Sequence, residues 1–166
     1  MAKVDVALHL APQLANQAPF LGVDVDVELL VDSTAAFTKA ALDAGVKFLV
    51  HTSFTTLYSD THGEIVTESA PLTHSTHPLL AAVKRAERVA QQSSVPLCIL
   101  RAGYVYGADS IVLSELENTL KVGRKSVPVG PGDNFANWIH IDDFAAALLL
   151  VVEQQHPARI LDPRVV

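Results

Sequence analysis

Side chains able to do chemistry are sparse in this sequence: seven histidines, one cysteine and eighteen carboxylates, few of them grouped. His74 and His77 stand three residues apart in His74-Ser75-Thr76-His77 and could offer two imidazoles to a metal. No nearby set of carboxylates or thiols completes the four ligands that such a site needs. Asp24, Asp26 and Glu28 alternate like the opening of a calcium loop, yet Leu29 stands where that loop requires glycine and no bidentate glutamate follows in register. No metal is expected. Cys98 is the only cysteine, so it can form neither an internal disulfide nor a Cys-rich zinc site, and Pro96-Leu97-Cys98-Ile99-Leu100 reads as a buried strand carrying a structural thiol. A reducing compartment follows as the default. His140 and Asp142 read as a hydrogen-bonded histidine and a helix cap.

Elements must bring such groups together, and the sequence marks them clearly. Val4 to Ala11 is a short apolar run, read as a buried strand, with a Pro-, Gln- and Asn-rich exit to Gly22. From Val27 to Ala44, apolar or small residues recur at Val27, Leu30, Val31, Thr34, Phe37, Thr38 and Ala41, one face of a helix that Gly45 can end. Val46 to Thr52 is a strand, and Pro78 opens a helix over Leu79 to Gln92. Val95 to Arg101 is the next strand. A loop holding Tyr104, Tyr106 and Gly107 precedes a helix over Ser110 to Val122, an extended piece at Val127 to Val129 and another at Trp138 to Ile141. Asp142 or Asp143 can cap the last helix, Phe144 to Gln154. This alternation predicts an α/β fold, a mostly parallel sheet flanked by helices.

Size and charge narrow the function classes. A chain of 166 residues is read as one domain and can bury roughly 70% of its unfolded surface. With 49% apolar and 18% charged residues it should be globular, and a net charge of −6 argues against nucleic acid or an anionic membrane as partner. The amino terminus carries no secretory apolar region, and the longest apolar run, Phe144 to Val152, is half a membrane span. These features predict a soluble, cytoplasmic protein.

Parallel α/β sheets bind ligands at the carboxyl ends of their strands, so the residues at each strand exit carry the most information. They are Asp5-Val6-Ala7-Leu8-His9-Leu10-Ala11; Ala44-Gly45-Val46-Lys47-Phe48-Leu49-Val50-His51-Thr52-Ser53 running on to Tyr58; Leu100-Arg101-Ala102-Gly103-Tyr104-Val105-Tyr106-Gly107; and Trp138-Ile139-His140-Ile141-Asp142-Asp143. In this order they resemble successive blocks of the extended short-chain dehydrogenase/reductases, the NAD-dependent epimerase/dehydratase family. The resemblance spans residues 4 to about 153 and starts at what looks like the family's fourth strand. It implies a partial Rossmann-like fold with a small part of the substrate region, NAD or NADP as cofactor, and a small carbonyl or sugar-like substrate.

The family's cofactor cradle is a glycine-rich turn at a helix N-terminus, and none of the eight glycines here begins a G-x-G-x-x-G. Gly130-Pro131-Gly132 has Phe135 at the third glycine position and reads as a turn. Cofactor contacts implied by the resemblance are therefore limited to Leu10, Ala11, Lys84 and Gly103. For catalysis the family uses a tyrosine as general acid/base and a lysine four residues later that lowers the phenol pKa. Lys84 fills the second position, and Leu80 stands at the first. The third member, a serine or threonine four residues before Tyr58, falls on Phe54, with Ser53 one residue away. Ser53, Tyr58 and Lys84 are thus the candidate catalytic residues. Tyr58 fits a loop aromatic over the core better than a substitute acid, and Lys84 equally fits a solvated helix face beside Arg85, Glu87 and Arg88.

Where many nucleotide-sugar members carry asparagine, this chain has Tyr104, and Ala136 replaces a frequent arginine. A sugar diphosphate would lack both contacts. The resemblance thus implies an NAD(P)-dependent epimerase, dehydratase or reductase impaired in its Tyr-Lys chemistry. The alternative is a non-catalytic interaction module. Without the preceding strands, the apolar edge at Val4 to Leu10 needs a cover, and a homodimer or a partner chain would supply it.

Overall fold

The computed structural model describes residues 4–10, 27–108, 110, 113, 114, 117, 118, 121, 136–155 and 160–161. Strand β1 (Val6–His9) leads to helix α1 (Val27–Asp43), strand β2 (Phe48–Phe54) and a single 3-10 turn (Thr55–Leu57). Helix α2 (Pro78–Gln91), strands β3 (Leu97–Ala102), β4 (Tyr104–Tyr106) and β5 (Trp138–His140), helix α3 (Ile141–Gln154) and strand β6 (Ile160–Leu161) complete the order. The main sheet runs β1-β2-β3-β6 with every neighbouring pair parallel, and β4 and β5 form a separate parallel ribbon. This is the expected parallel α/β fold. Parallel strands need crossovers, and α1 and α2 supply the first two.

Alternation along β2 explains its near-continuous apolar sequence. Leu49 points to a cluster with Ala41, Val46 and Val95, against which Ala7, Phe37 and Leu97 pack. Phe48 and Val50 point the other way, joining Cys98 and Val151 of α3. Both faces of the strand are covered, so both sets must be apolar. A third cluster joins α1 and α2 through Leu30, Val31, Ala82, Val83 and Ala86, with Leu57 beneath them.

The predicted face of α1 is the one that is buried: Leu30, Val31, Thr34, Thr38 and Ala41. Thr34 and Thr38 can sit there because each hydroxyl donates to the carbonyl four residues back, at 2.9 and 2.7 Å. The helix ends at Gly45, whose φ of +69° is costly for residues with a Cβ. The amide of Gly45 donates to Leu42 O and that of Val46 to Ala41 O, the paired bonds of a Schellman stop.

Three expectations are corrected. The segment with Tyr104 and Tyr106, expected as loop, is strand β4, because Tyr104, Val105 and Tyr106 pair in register with Trp138, Ile139 and His140. The last helix starts at Ile141 rather than Phe144, and its cap is His140, whose Nδ1 accepts from the Asp142 amide at 3.3 Å. Asp142 and Asp143 sit in the first turn, where their charges favour the positive helix end. Strand β6 was not expected, since two residues carry no periodicity. Ala11, Asp24, Asp26, Val127 to Val129 and the turn at Gly130 lie outside the described residues, as does most of the helix expected over Ser110 to Val122.

Candidate functional site

Leu10, Phe54 and Gly103 lie at the carboxyl ends of the adjacent strands β1, β2 and β3. That is the edge where parallel sheets meet ligands. Phe54 closes β2 with its ring half-buried on the α1–α2 cluster, and Leu80 of α2 packs on the same cluster together with Leu79 and Leu72. Lys84 follows Leu80 by one helical turn, and its Nζ donates to the backbone carbonyl of Thr73. The Thr73 amide in turn donates to Leu57 O at 2.8 Å, which ties this loop to the turn after β2. Lys84 therefore fastens the loop to the helix, a role its sequence position did not signal because the acceptor is a main-chain oxygen.

Ser53 is 2% exposed, and its hydroxyl has no hydrogen-bond partner among the described residues. Tyr58 is also buried, its ring centroid 4.8 Å from the Arg101 guanidinium carbon. Arg101, itself 2% exposed, donates from Nε and Nη2 to the two carboxylate oxygens of Glu87 at 2.8 and 2.7 Å. Burial works against the guanidinium charge, but the Glu87 bonds outweigh it and hold Arg101 above its ordinary range. Tyr58 is thereby packed against a cation in the core. Leu10 is exposed after β1. At Gly103 a Cβ would lie 2.4 Å from the Asn137 carbonyl oxygen, and the next amide, Tyr104, donates to that oxygen at 2.7 Å. The close approach of β4 to the chain before β5 accounts for this glycine.

His9 and His51 were not singled out as a pair by sequence, being 42 residues apart. Their parallel register puts them side by side on β1 and β2, with the two Nδ1 atoms 2.9 Å apart and one donating to the other. The His9 ring stacks on Phe37 of α1 at 4.6 Å between centroids. Burial, then the neighbouring His9, pushes the His51 pKa down to about 3, and burial also lowers that of His9. Cys98 is fully buried, and burial pushes its thiol up to about 11. An unreactive structural thiol is the consequence. His74 and His77 are exposed, and the described residues contain no group of three or more metal-ligating side chains. No described helix is long and apolar enough to cross a membrane.

A family model described as NAD dependent epimerase/dehydratase matches residues 1–162. This chain belongs to that family. The mouse dTDP-D-glucose 4,6-dehydratase is 26% identical over 165 residues, covering 95% of this chain and 46% of its own. An epimerase family protein of Mycobacterium bovis is 27% identical over 125 residues, 75% of this chain and 41% of its own. Among solved structures, the dTDP-glucose 4,6-dehydratase DesIV of Streptomyces venezuelae, with NAD and TYD bound, superposes with a TM-score of 0.80 at 26% identity. The superposition covers 96% of this chain and 51% of DesIV. A human epimerase family protein solved with NADPH shares the fold, with a TM-score of 0.77 at 21% identity, over 98% of this chain and 57% of its own. The chain spans about half the length of the curated relatives it matches. Phe54 and Leu80 stand on one hydrophobic cluster.

Proposed function

We propose that this chain is an epimerase/dehydratase family member that does not perform the family's phenol-relayed proton transfer on a carbonyl or sugar-like substrate. The observation that carries this reading is Leu80, one turn before Lys84, packed on the α1–α2 cluster. A hydrocarbon cannot give or take a proton, and Phe54 leaves the neighbouring hydroxyl position equally inert. Lys84, the surviving member, has its amine on the Thr73 carbonyl. The described residues therefore do not fit the reacting end of NAD or NADP. Ser53, adjacent to Phe54, is enclosed in the sheet, and Tyr58 is stacked on Arg101. Both placements favour structural roles for these two candidates, and Leu10 and Gly103 stand as the remaining contacts for a cofactor.

A panel of carbonyl substrates should show no cofactor-dependent turnover. Turnover that Lys84→Ala abolishes would overturn the reading.

A second reading, an interaction module, has its own observation. Among the described residues β1 is hydrogen-bonded to β2 alone, and Val4, Leu8 and Leu10 are exposed beside it. Such an edge is a template for another strand. Sedimentation should then find a dimer at micromolar concentration. A monomer whose Val4 to Leu10 amides are nevertheless protected from exchange would dismiss this reading.

A further inference from the structure

The ribbon of β4 and β5 carries four rings on one face. Residues 104 and 106 alternate with 105 on β4, as do 138 and 140 with 139 on β5. Because side chains alternate across a strand and the two strands are paired without offset, Tyr104, Tyr106, Trp138 and His140 share a side. Val105 and the buried Ile139 take the other. Contacts between the rings bear this out. Tyr104 lies 5.2 Å from Trp138, and Tyr106 meets Trp138 edge-on at 6.2 Å and His140 edge-on at 5.2 Å. Trp138 is 44% exposed and Tyr106 36%, so the face is open to solvent at its centre.

Size and charge identify what such a face can hold. Two residues along a strand span about 7 Å and neighbouring strands lie about 4.8 Å apart, so the four rings outline an area close to that of one bicyclic compound. A stable protein interface needs roughly 800 Å² per partner, far more than this ribbon supplies. Among the described residues the charge beside the face is negative: Asp142 Oδ2 lies 3.5 Å from His140 Nδ1, and Asp143 follows it in the first turn of α3. Ala136, two residues before Trp138, brings no cation. Burial raises the Tyr104 phenol pKa, which keeps that ring uncharged at neutral pH. Among the described residues a diphosphate would meet carboxylates and no guanidinium, whereas an uncharged ring meets stacking surfaces and polar ring edges.

We propose that the face formed by Tyr104, Tyr106, Trp138 and His140 is a binding site for a neutral, flat, fused-ring compound carrying a hydrogen-bond acceptor. The ligand stacks on Trp138 and Tyr106, and its acceptor turns toward the phenol or imidazole edges. This goes beyond the loss of proton transfer, since it concerns binding alone.

Trp138 is the single tryptophan, so its indole N–H gives one unambiguous signal in a nitrogen-15 correlation spectrum. Titration with coumarin should shift that signal saturably at submillimolar concentration, while dTDP-glucose leaves it in place up to the same concentration. Tyr104→Asn should weaken coumarin at least tenfold. Should that variant lose its dispersed spectrum, Tyr106→Leu is read in its place, with the same expected tenfold loss. Three results would overturn the proposal: no shift with coumarin at its solubility limit, a shift with dTDP-glucose alone, or coumarin binding unchanged in the folded variant. None of these bears on Leu80, because no turnover is measured.

Discussion

Replacing Glu87 with alanine should cost this protein about 3 to 5 kcal/mol of folding stability, a large part of the roughly 5 to 15 kcal/mol typical of a domain. The reason is the partner left behind. Arg101 is 2% exposed, and both of its bonds to Glu87 would be lost while its charge stayed in the core. Tyr58 would then face the cation alone across 4.8 Å, and a ring quadrupole offsets only a small part of an unpaired buried charge. Urea unfolding should show the midpoint falling at unchanged slope. The double change Glu87→Leu with Arg101→Met removes both charges and should recover much of the loss, as it does when apolar residues of similar volume replace a buried pair. A double variant no more stable than Glu87→Ala would place the penalty in lost packing. Arg85→Ala is the contrast. Its bonds to Glu28 are equally short, at 2.7 and 3.0 Å, but lie in solvent, and the midpoint should barely move.

Acid should weaken the sheet at β1 through a different buried pair. The folded-state pKa of His51 is depressed from 6.5 to about 3, and that of His9 is also lowered. In the unfolded chain both imidazoles titrate near 6.5, so below that pH the unfolded state binds protons that the folded state refuses. The stability held by the neutral pair is therefore complete above about pH 6.5 and is lost as pH falls toward 3. At pH 5 the contribution of His51 alone is a loss of about 2 kcal/mol, following 1.36 kcal/mol per pH unit. Denaturation midpoints at pH 7.5 and pH 5 measure it. His51→Phe, which keeps an aromatic ring beside His9, should flatten much of this slope even if it lowers stability at pH 7.5. An unchanged slope would mean that other groups carry the acid sensitivity.

Much of the architecture was legible because local rules and the fold agree. The period of α1, the glycine that stops it and the proline that starts α2 all act within one or two helical turns, and each is where the sequence put it. The boundaries that moved did so for tertiary reasons. Tyr104 to Tyr106 became a strand only because Trp138 to His140, more than thirty residues on, lies in register beside it. Likewise His140 rather than an aspartate caps α3, because the end of β5 fixes where the helix begins.

The site divides along the same line. That Leu80 and Phe54 cannot relay a proton follows from their composition alone, since no fold gives a hydrocarbon an exchangeable hydrogen. Whether Lys84 is solvated, where Tyr58 points and which histidines meet are matters of contact between elements distant in the chain. Sequence spacing along a helix or strand fixes which side chains share a face, because the backbone period is rigid. It does not fix which faces meet. The Arg101–Glu87 pair, the His9–His51 pair and the aromatic face of β4 and β5 exist because strand register and helix packing set side chains of separate segments within a few ångströms of one another.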